Sequence, residues 1–460
     1  MTTDIIGNSK KDNTTGYKIG AMGGRYPVVE INGYNLTEKQ IKSVDVNSSD
    51  FIPTINCTFE IKDGVFISKH FPKDGDVISV YIRSHNNDLK PVRCDFLISR
   101  VVTGKSKDSQ GSKLKITVLG NLLIPRLYKS FNKSFKNMSS LDVMTEIAND
   151  LGLGLVTNIT ATELVDTMTW VAANETYAEF IKKITDHAYL NEFCFFKCWI
   201  DYYYNLNFVD LNRMHTIADS EPTSDGINFQ LLTKDYDEHN TIEYIKDKNI
   251  LTNLTEVKAG GNYIEKHEFI NNAGDINTKM GYINNVNFFD FELGTHVNFD
   301  IEATTTESTT IKKIAPKGRM NEETYKDEVK KIWAGWCYNL ENHNTHTHYI
   351  ESEYQNILNN NQLDKLKIKV YLTHVNLNYY IGQRVPIVFV NTHDSTRIEQ
   401  SGYPTDKADE TGFSIDRFLS GNYVIQGINL TFKNNLTDKP AVKQEMILTR
   451  REWSHPKLYN

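Results

Sequence analysis

Cysteine is scarce in this chain: five in 460 residues, an odd number, scattered at Cys57, Cys94, Cys194, Cys198 and Cys337. No disulfide framework can be read from them, and the pattern suits a protein made in a reducing cytoplasm. No run approaches the roughly 18 to 20 consecutive apolar residues of a membrane-spanning helix, so stable membrane insertion is not expected. The N-terminal Met1-Thr2-Thr3-Asp4-Ile5-Ile6 lacks the basic-then-apolar order of a signal peptide. Nor is there a surplus of positive charge. With 51 Lys and Arg against 58 Asp and Glu, the net charge of -7 argues against a sequence-independent nucleic-acid binder. Four signatures are also missing: the Gly-x-Ser-x-Gly elbow, the Walker-type loop, His-Glu-x-x-His, and a Gly-x-Gly-x-x-Gly that follows a strand.

What is abundant is aromatic and β-forming. The 24 Tyr and 22 Phe, with frequent Asn and Thr, fit a β-rich protein with long polar loops. One stretch occurs twice. Phe71-Pro72-Lys73-Asp74-Gly75-Asp76-Val77-Ile78-Ser79-Val80-Tyr81-Ile82 is echoed about 300 residues later by Tyr379-Tyr380-Ile381-Gly382-Gln383-Arg384-Val385-Pro386-Ile387-Val388-Phe389-Val390. Aligning Gly75 with Gly382 superposes Ile78 on Val385 and Val80 on Ile387. In each, a glycine able to turn the chain feeds a strand with apolar residues at every second position. The echo continues, Phe96 and Ile98 in the first copy matching Tyr423 and Ile425 in the second. Strands are expected before both copies, at Thr54–Ile61 and 365–372, and after both, at 113–119 and 445–449. Two small antiparallel β domains of one design follow from this order.

At this length roughly two to four domains are expected. Residues 1–25 read as a flexible arm and 26–129 as the first β domain, with a polar loop from Lys105 to Ser112. Residues 130–215 form a small α+β unit. Its first helix starts at Ser139-Ser140-Leu141-Asp142 and stops at Gly152; its second starts at a Thr176/Glu179 capping box. Phe193–Phe196 and Tyr202–Val209 then read as an aromatic hairpin. Residues 216–359 are a polar, irregular, β-rich region, with a helix near 322–340 carrying Tyr325, Val329, Ile332, Trp333 and Trp336 on one side. Residues 360–460 form the second β domain, with a long loop insert from Asn391 to Arg417. The fold class is α+β, mainly β: two similar tube-type β-barrel domains flanking the α+β unit and the irregular region.

Candidate chemistry is thin. His343, His346 and His348 could approach a zinc or nickel ion beside Glu351, but no pair has the i, i+4 helix spacing, and a His-rich polar loop explains them as well. Cys194 and Cys198 read as buried thiols on one face of a strand. Carboxylates are plentiful, without one pair standing out for sugar-bond cleavage. Tyr202–Tyr204 are either a carbohydrate-stacking platform or core on one side and interface on the other.

The order of Phe71-Pro72-x-Asp74-Gly75-Asp76 before a strand, a short capped helix, Asn174-Glu175-Thr176-Tyr177-Ala178-Glu179-Phe180-Ile181, an aromatic hairpin ending in Asp210, and a last β domain resembles baseplate hub proteins of contractile-tailed phages. More distantly it resembles late-control-D proteins and the hub part of type VI secretion spikes. The resemblance covers 26–215 and 360–453; residues 216–320 depart from it. It implies a non-enzymatic homotrimer without cofactor, in which two tube-type domains per chain present six similar units, with Gly75, Ile78, Val80, Phe96, Ile98, Gly382, Val385, Ile387, Tyr423 and Ile425 in the ring-forming strands. It also implies partners: a sixfold tail tube protein, a threefold central spike protein, surrounding baseplate wedge proteins and a tape measure protein, with DNA passing through the channel without specific binding. The expected setting is a virion tail baseplate assembled in the host cytoplasm, with the spike and any cell-wall enzyme on separate chains. A tail-associated cell-wall hydrolase and a carbohydrate-binding adhesion module are the alternatives.

Overall fold

Alternation of apolar residues over strand-length segments shapes most of the chain. The computed structural model describes residues 27–62, 64–84, 91–108, 111–219, 250–258, 261–271, 283–290, 295–302, 330–337, 345–363, 366–392, 413–415, 419–434 and 441–450. The N-terminal module contains β1 (Val28–Ile31), β2 (Tyr34–Leu36), β3 (Ile41–Asn47), β4 (Thr54–Ile61), α1 (Gly64–Lys69), β5 (Val77–Ile82), β6 (Val92–Asp108) and β7 (Gly111–Leu122). The α+β unit follows with β8 (Ser130–Met138), α2 (Ser140–Leu151), β9 (Gly154–Val156), β10 (Met168–Thr176), α3 (Tyr177–His187), β11 (Phe196–Ile200), β12 (Asn205–Asp210) and α4 (Leu211–Asp219). Beyond it lie β13 (Leu251–Thr252), β14 (Ile264–Asn271), β15 (Ile283–Asp290), β16 (Thr295–Glu302), β17 (Lys330–Cys337), α5 (Tyr349–Leu363), β18 (Leu366–Leu372), β19 (Arg384–Val388), β20 (Val390–Thr392), β21 (Phe413–Ile415), β22 (Gly421–Lys433) and β23 (Ala441–Thr449).

The fold is mainly β, with large antiparallel sheets. Neither end closes into the barrel expected for it among the described residues. Instead one 13-stranded sheet runs in the order β14-β18-β23-β22-β3-β4-β7-β6-β5-β1-β2, with β19 pairing β22 and β13 pairing β19. Strands from both ends of the chain therefore share one hydrogen-bonded surface. Its core face carries Val44, Val46, Cys57, Phe59, Ile78, Val80, Phe96 and Ile98 from the N-terminal half. From the C-terminal half come Ile368, Val370, Val385, Ile387, Tyr423, Ile425, Leu430 and Phe432, all buried.

Several local signals act as their chemistry dictates. Ser139 caps α2 by accepting from the Asp142 backbone N–H, and Gly152 ends the helix at a φ of 71°. Thr176 and Glu179 form a reciprocal capping box at the start of α3. The aromatic hairpin is β11 paired with β12, although Cys194 precedes β11 and is not part of the strand that holds Cys198. Other expectations are corrected. The segment expected to be a helix near 322–340 contains a strand, Lys330–Cys337, which lies parallel to β15 in a sheet with β16. Aromatic and β-branched residues such as Ile332, Trp333 and Trp336 suit a pleated surface, and a paired neighbour outweighs their helical spacing. The loop expected at Lys105–Ser112 is mostly strand, since β6 and β7 pair as far as Asp108 and Gly111. The expected 391–417 insert is pinned at its ends by β20 pairing β21; its residues 393–412, like the arm at 1–25, lie outside the described residues.

The two repeat glycines differ in surroundings. Gly75 has a φ of 89° and open space where a Cβ would stand, while Gly382 has a φ of 86° and its Cβ would lie 3.3 Å from the Trp199 ring. Forcing a Cβ into the left-handed region costs about 1–2 kcal/mol. Gly75→Ala is expected to lower the urea midpoint by that conformational cost alone, and Gly382→Ala by more, because Trp199 must also move; equal losses would contradict this packing.

Candidate functional site at the seam between the repeated modules

The repeat in the sequence has a register in three dimensions. Ile78 lies opposite Phe96 in the β5·β6 pair, and Val385 lies opposite Tyr423 in the β19·β22 pair. Gly75 donates its backbone N–H to Ile98 O at 2.8 Å, and Gly382 donates to Ile425 O at 2.8 Å. Ile98 in turn donates to Asp76 O, and Ile425 donates to Gln383 O, at 2.8 and 3.0 Å. Immediately beyond, each long strand carries an irregularity, between Ile98 and Arg100 in β6 and between Ile425 and Gly427 in β22. A bulge adds one residue and bends the strand, so both modules bend at the same point. The ten repeat residues thus fall into five equivalent pairs: Gly75/Gly382, Ile78/Val385, Val80/Ile387, Phe96/Tyr423 and Ile98/Ile425.

The equivalence extends to strands whose sequences show no likeness. β7 and β23 stand beside their long strands in matching register, and β4 and β18 stand beside β7 and β23 in matching register in turn. The last counterpart is β14, from the polar region between the two modules. It pairs with β18 as β3 pairs with β4, and each of these pairs has an irregularity one strand-step in, at Ile264/Lys266 and Ile41/Ser43. On this register Val46 corresponds to Phe269 and Val44 to His267.

The two modules join where β22 meets β3, through the pairs Asn429↔Asn47, Leu430↔Val46, Thr431↔Asp45, Phe432↔Val44 and Lys433↔Ser43. Ser48 N–H to Ile428 O at 2.9 Å and Asn434 N–H to Lys42 O at 2.8 Å extend the ladder at each end. Leu430, Phe432, Val44 and Val46 are buried behind it. Water is therefore excluded from the core face of the joint, and burial adds to the backbone hydrogen bonds.

The aromatic hairpin wedges between both modules. Tyr204 Oη accepts from the Asp95 backbone N–H at 3.0 Å, and Tyr203 Oη donates to Leu377 O at 3.2 Å. Ile200 N–H donates to Phe51 O at 2.8 Å. Across the gap, Leu377 N–H donates to Ser84 Oγ at 3.2 Å. Tyr204 is held at a φ of 61°, unfavourable for an aromatic residue, by a turn organised around Asp201. That carboxylate accepts from Tyr203 N–H, Asn205 N–H, and the Asn205 and Asn207 amides. Burial raises the Asp201 pKa, and these donors oppose the rise. Tyr202 and Tyr204 are only 4% and 3% exposed, so they offer no ring face to a sugar. A cavity of about 450 Å³ beside the hairpin, lined by Phe51, Ile181, Lys182, Asp186, Cys198 and Gln426, marks where α3, β11 and β22 fail to meet completely.

The histidine segment serves packing. His346 is buried, with Nε2 2.9 Å from His187 O. His187 Nδ1 is 2.7 Å from Tyr349 O, and its ring stacks on Tyr349 at 3.7 Å between centroids. His348 stacks on Tyr189 and pairs with Glu351 through Nδ1 at 2.7 Å. His343 lies outside the described residues, and among those described no group of three His, Cys, Asp or Glu is placed to hold a metal ion. α5 docks on the same unit through Asn356, whose Nδ2 donates to Thr185, Asp186 and Ala188 carbonyls at the end of α3 while its Oδ1 accepts from Phe196 N–H. These carbonyls would otherwise be orphaned at a helix C-terminus. Nothing in the sequence flagged Asn356, because its partners lie far along the chain. Two buried carboxylates are likewise absorbed in structure: Asp166 accepts from Ser140 and Tyr189, and Asp210 from Phe195 and Asn212. Burial pushes the Cys57 and Cys194 thiols up to about 12, far from a reactive range.

No protein-family model matches the sequence, nor does any curated protein. Among solved structures the chain is similar to a tail protein from Neisseria meningitidis MC58, with a TM-score of 0.49 at 10% identity, covering 93% of this chain and 97% of that one. It is similar to the same degree to the 43 kDa tail protein of prophage MuSo2 from Shewanella oneidensis, with a TM-score of 0.49 and 10% identity over 92% and 98% of the two chains. The E. coli c3393 protein, a type VI secretion component, matches with a TM-score of 0.39 and 9% identity over 94% of this chain and 80% of its own.

Burial lowers the pKa of His187 and of His346 to about 4. An unfolded histidine titrates near 6.5, so the unfolded chain takes up protons first as pH falls. The stability due to these neutral rings is full above about 6.5 and is lost as pH falls toward 4. The urea midpoint of the wild-type chain is expected to drop across that window, and to drop less in His346→Gln; identical pH profiles would contradict the assignment. Asn356→Ala strands buried carbonyls and the Phe196 N–H, and a loss of about 1–3 kcal/mol is expected by urea denaturation.

Proposed function

We propose that this chain is the central hub of a contractile-tail baseplate, a structural homotrimer that joins a sixfold tail tube to a threefold spike. The observation that carries this reading is the register match between the two modules, which makes them near-equivalent building units linked through β22 and β3. Three chains of two units each supply six similar sites on one face, while the rest of each chain keeps threefold symmetry. The family resemblance in the sequence supports the same role. In it the tail tube meets the repeated sheets, and spike, wedge and tape measure proteins meet the remaining surfaces. DNA passes through the ring unbound, and a net charge of -7 favours its passage. The role needs no catalytic residue and no cofactor, and its location is the virion tail.

Neither alternative has an observation in its favour. His346, His348 and the carboxylates Asp166, Asp201 and Asp210 are engaged in packing and turns, Tyr202 and Tyr204 are buried, and Tyr203 bonds Leu377 O. Sedimentation velocity at micromolar concentration is expected to give a species of three times the 52.8 kDa chain mass. A chain that remains monomeric, alone and with a trimeric spike protein added, would remove the hub reading.

A further inference from the structure

Helix α5 is docked through polar groups. Its four most buried described side chains are Ser352, Gln355, Asn356 and Asn359, whereas Ile357 is 40% exposed. Amides make the attachment: Asn356 at the end of α3, Asn359 Nδ2 to Cys194 O at 3.3 Å, and Asn360 Nδ2 to Phe196 O at 3.4 Å. Each such bond replaces one to water, so a dock of this kind gains less than apolar packing of the same area. Elements held in this way open locally before the rest of a fold.

The turn that leads into α5 carries two rings with fixed tautomers, because a carbonyl can only accept. His346 donates from Nε2 to His187 O, which leaves Nδ1 bare; that atom is buried and has no hydrogen-bond partner among the described residues. His187 donates from Nδ1 to Tyr349 O, which leaves Nε2 bare, but Nε2 faces Glu353 Oε2 at 4.0 Å. A second proton on His187 therefore meets a carboxylate, and one on His346 meets none. The groups around the pair are Lys182, Lys183 and Asp186 on α3, Tyr349, Glu351 and Glu353 on α5, His348 stacked on Tyr189, and the Trp170 ring of β10 against His346. His187 and His348 are the titratable neighbours that act on His346, and both oppose a positive charge there. We propose that the turn at His346 is an acid-opened catch: a proton on His346 Nδ1 frees α5 from the end of α3 while the joined sheet stays folded. Release also takes Asn360 from the wall of the cavity beside the hairpin and uncovers the Phe196 N–H. Asp186 and Glu353 act in the opposite sense. Burial raises their pKa, so their protonation favours the docked helix once pH enters the carboxylate range.

Hydrogen exchange of the full-length chain, read by mass spectrometry and corrected for the intrinsic pH dependence of exchange, reports helix and sheet separately. As pH falls from about 6.5 to about 4.5, peptides from 349–363 are expected to lose up to about tenfold in protection per pH unit, the limit for one proton taken up on release. Peptides from β3 and β22 are expected to keep theirs. In His346→Gln, whose amide can still donate to His187 O, the loss over 349–363 is expected to shrink, and in His187→Gln to shrink less. Glu353→Gln, a change at a half-exposed position, removes the carboxylate that faces His187 and is expected to steepen the loss. Protection over 349–363 that stays flat in the wild-type chain, or that falls in step with β3 and β22, overturns the catch without bearing on the hub reading. A loss abolished by His187→Gln and unchanged by His346→Gln overturns the assignment to His346.

Discussion

The ladder between β22 and β3 is the constraint on which the rest depends. Without it the 13-stranded sheet divides into a seven-stranded and a six-stranded part, and the apolar residues at the joint are uncovered. With it, a strand from near residue 430 and one from near residue 45 share a continuous core. Antiparallel pairing of distant strands costs loop-closure entropy, which grows only slowly with loop length. The burial of Leu430, Phe432, Val44 and Val46 behind five paired positions offsets that cost.

The α+β unit holds the joint at a fixed angle. Its hairpin contacts the N-terminal module at Phe51 and Asp95 and the C-terminal module at Leu377 and Gly382. Trp199 can lie against Gly382 only because that residue lacks a Cβ, so a turn glycine also serves as a packing surface. Behind the hairpin, α5 is fastened by Asn356 and by the stacked histidines. Polar groups inside a core are stabilised by partners, and Asn356 Nδ2 and Oδ1, His187 Nδ1 and His346 Nε2 all have them. His346, His348 and Tyr202–Tyr204, which suggested metal binding or sugar stacking in isolation, thus fasten the hairpin and α5 in place.

How much was legible from residues alone varies with the range of the interaction. Helix caps at Ser139 and Thr176, the stop at Gly152 and the glycine turns before β5 and β19 are decided within a few residues, and all could be read directly. The strand at Lys330–Cys337 could not, because eight residues with two tryptophans fit either period and a neighbouring strand made the choice. β14 was invisible for a related reason: Phe269 and His267 stand where the first module has Val46 and Val44, so there is no shared apolar alternation to recognise.

The amino-acid order by itself determined that two segments about 300 residues apart make the same glycine-led hairpin, and which side of each strand is apolar. That information resides in side chains, whose alternation and backbone preferences are local. Tertiary structure alone decided that, among the described residues, the modules merge into one sheet instead of closing as two barrels. Strand edges are joined by backbone N–H and C=O groups that every residue carries alike. The composition of a strand therefore specifies its faces, while its neighbours are chosen by the geometry of the whole.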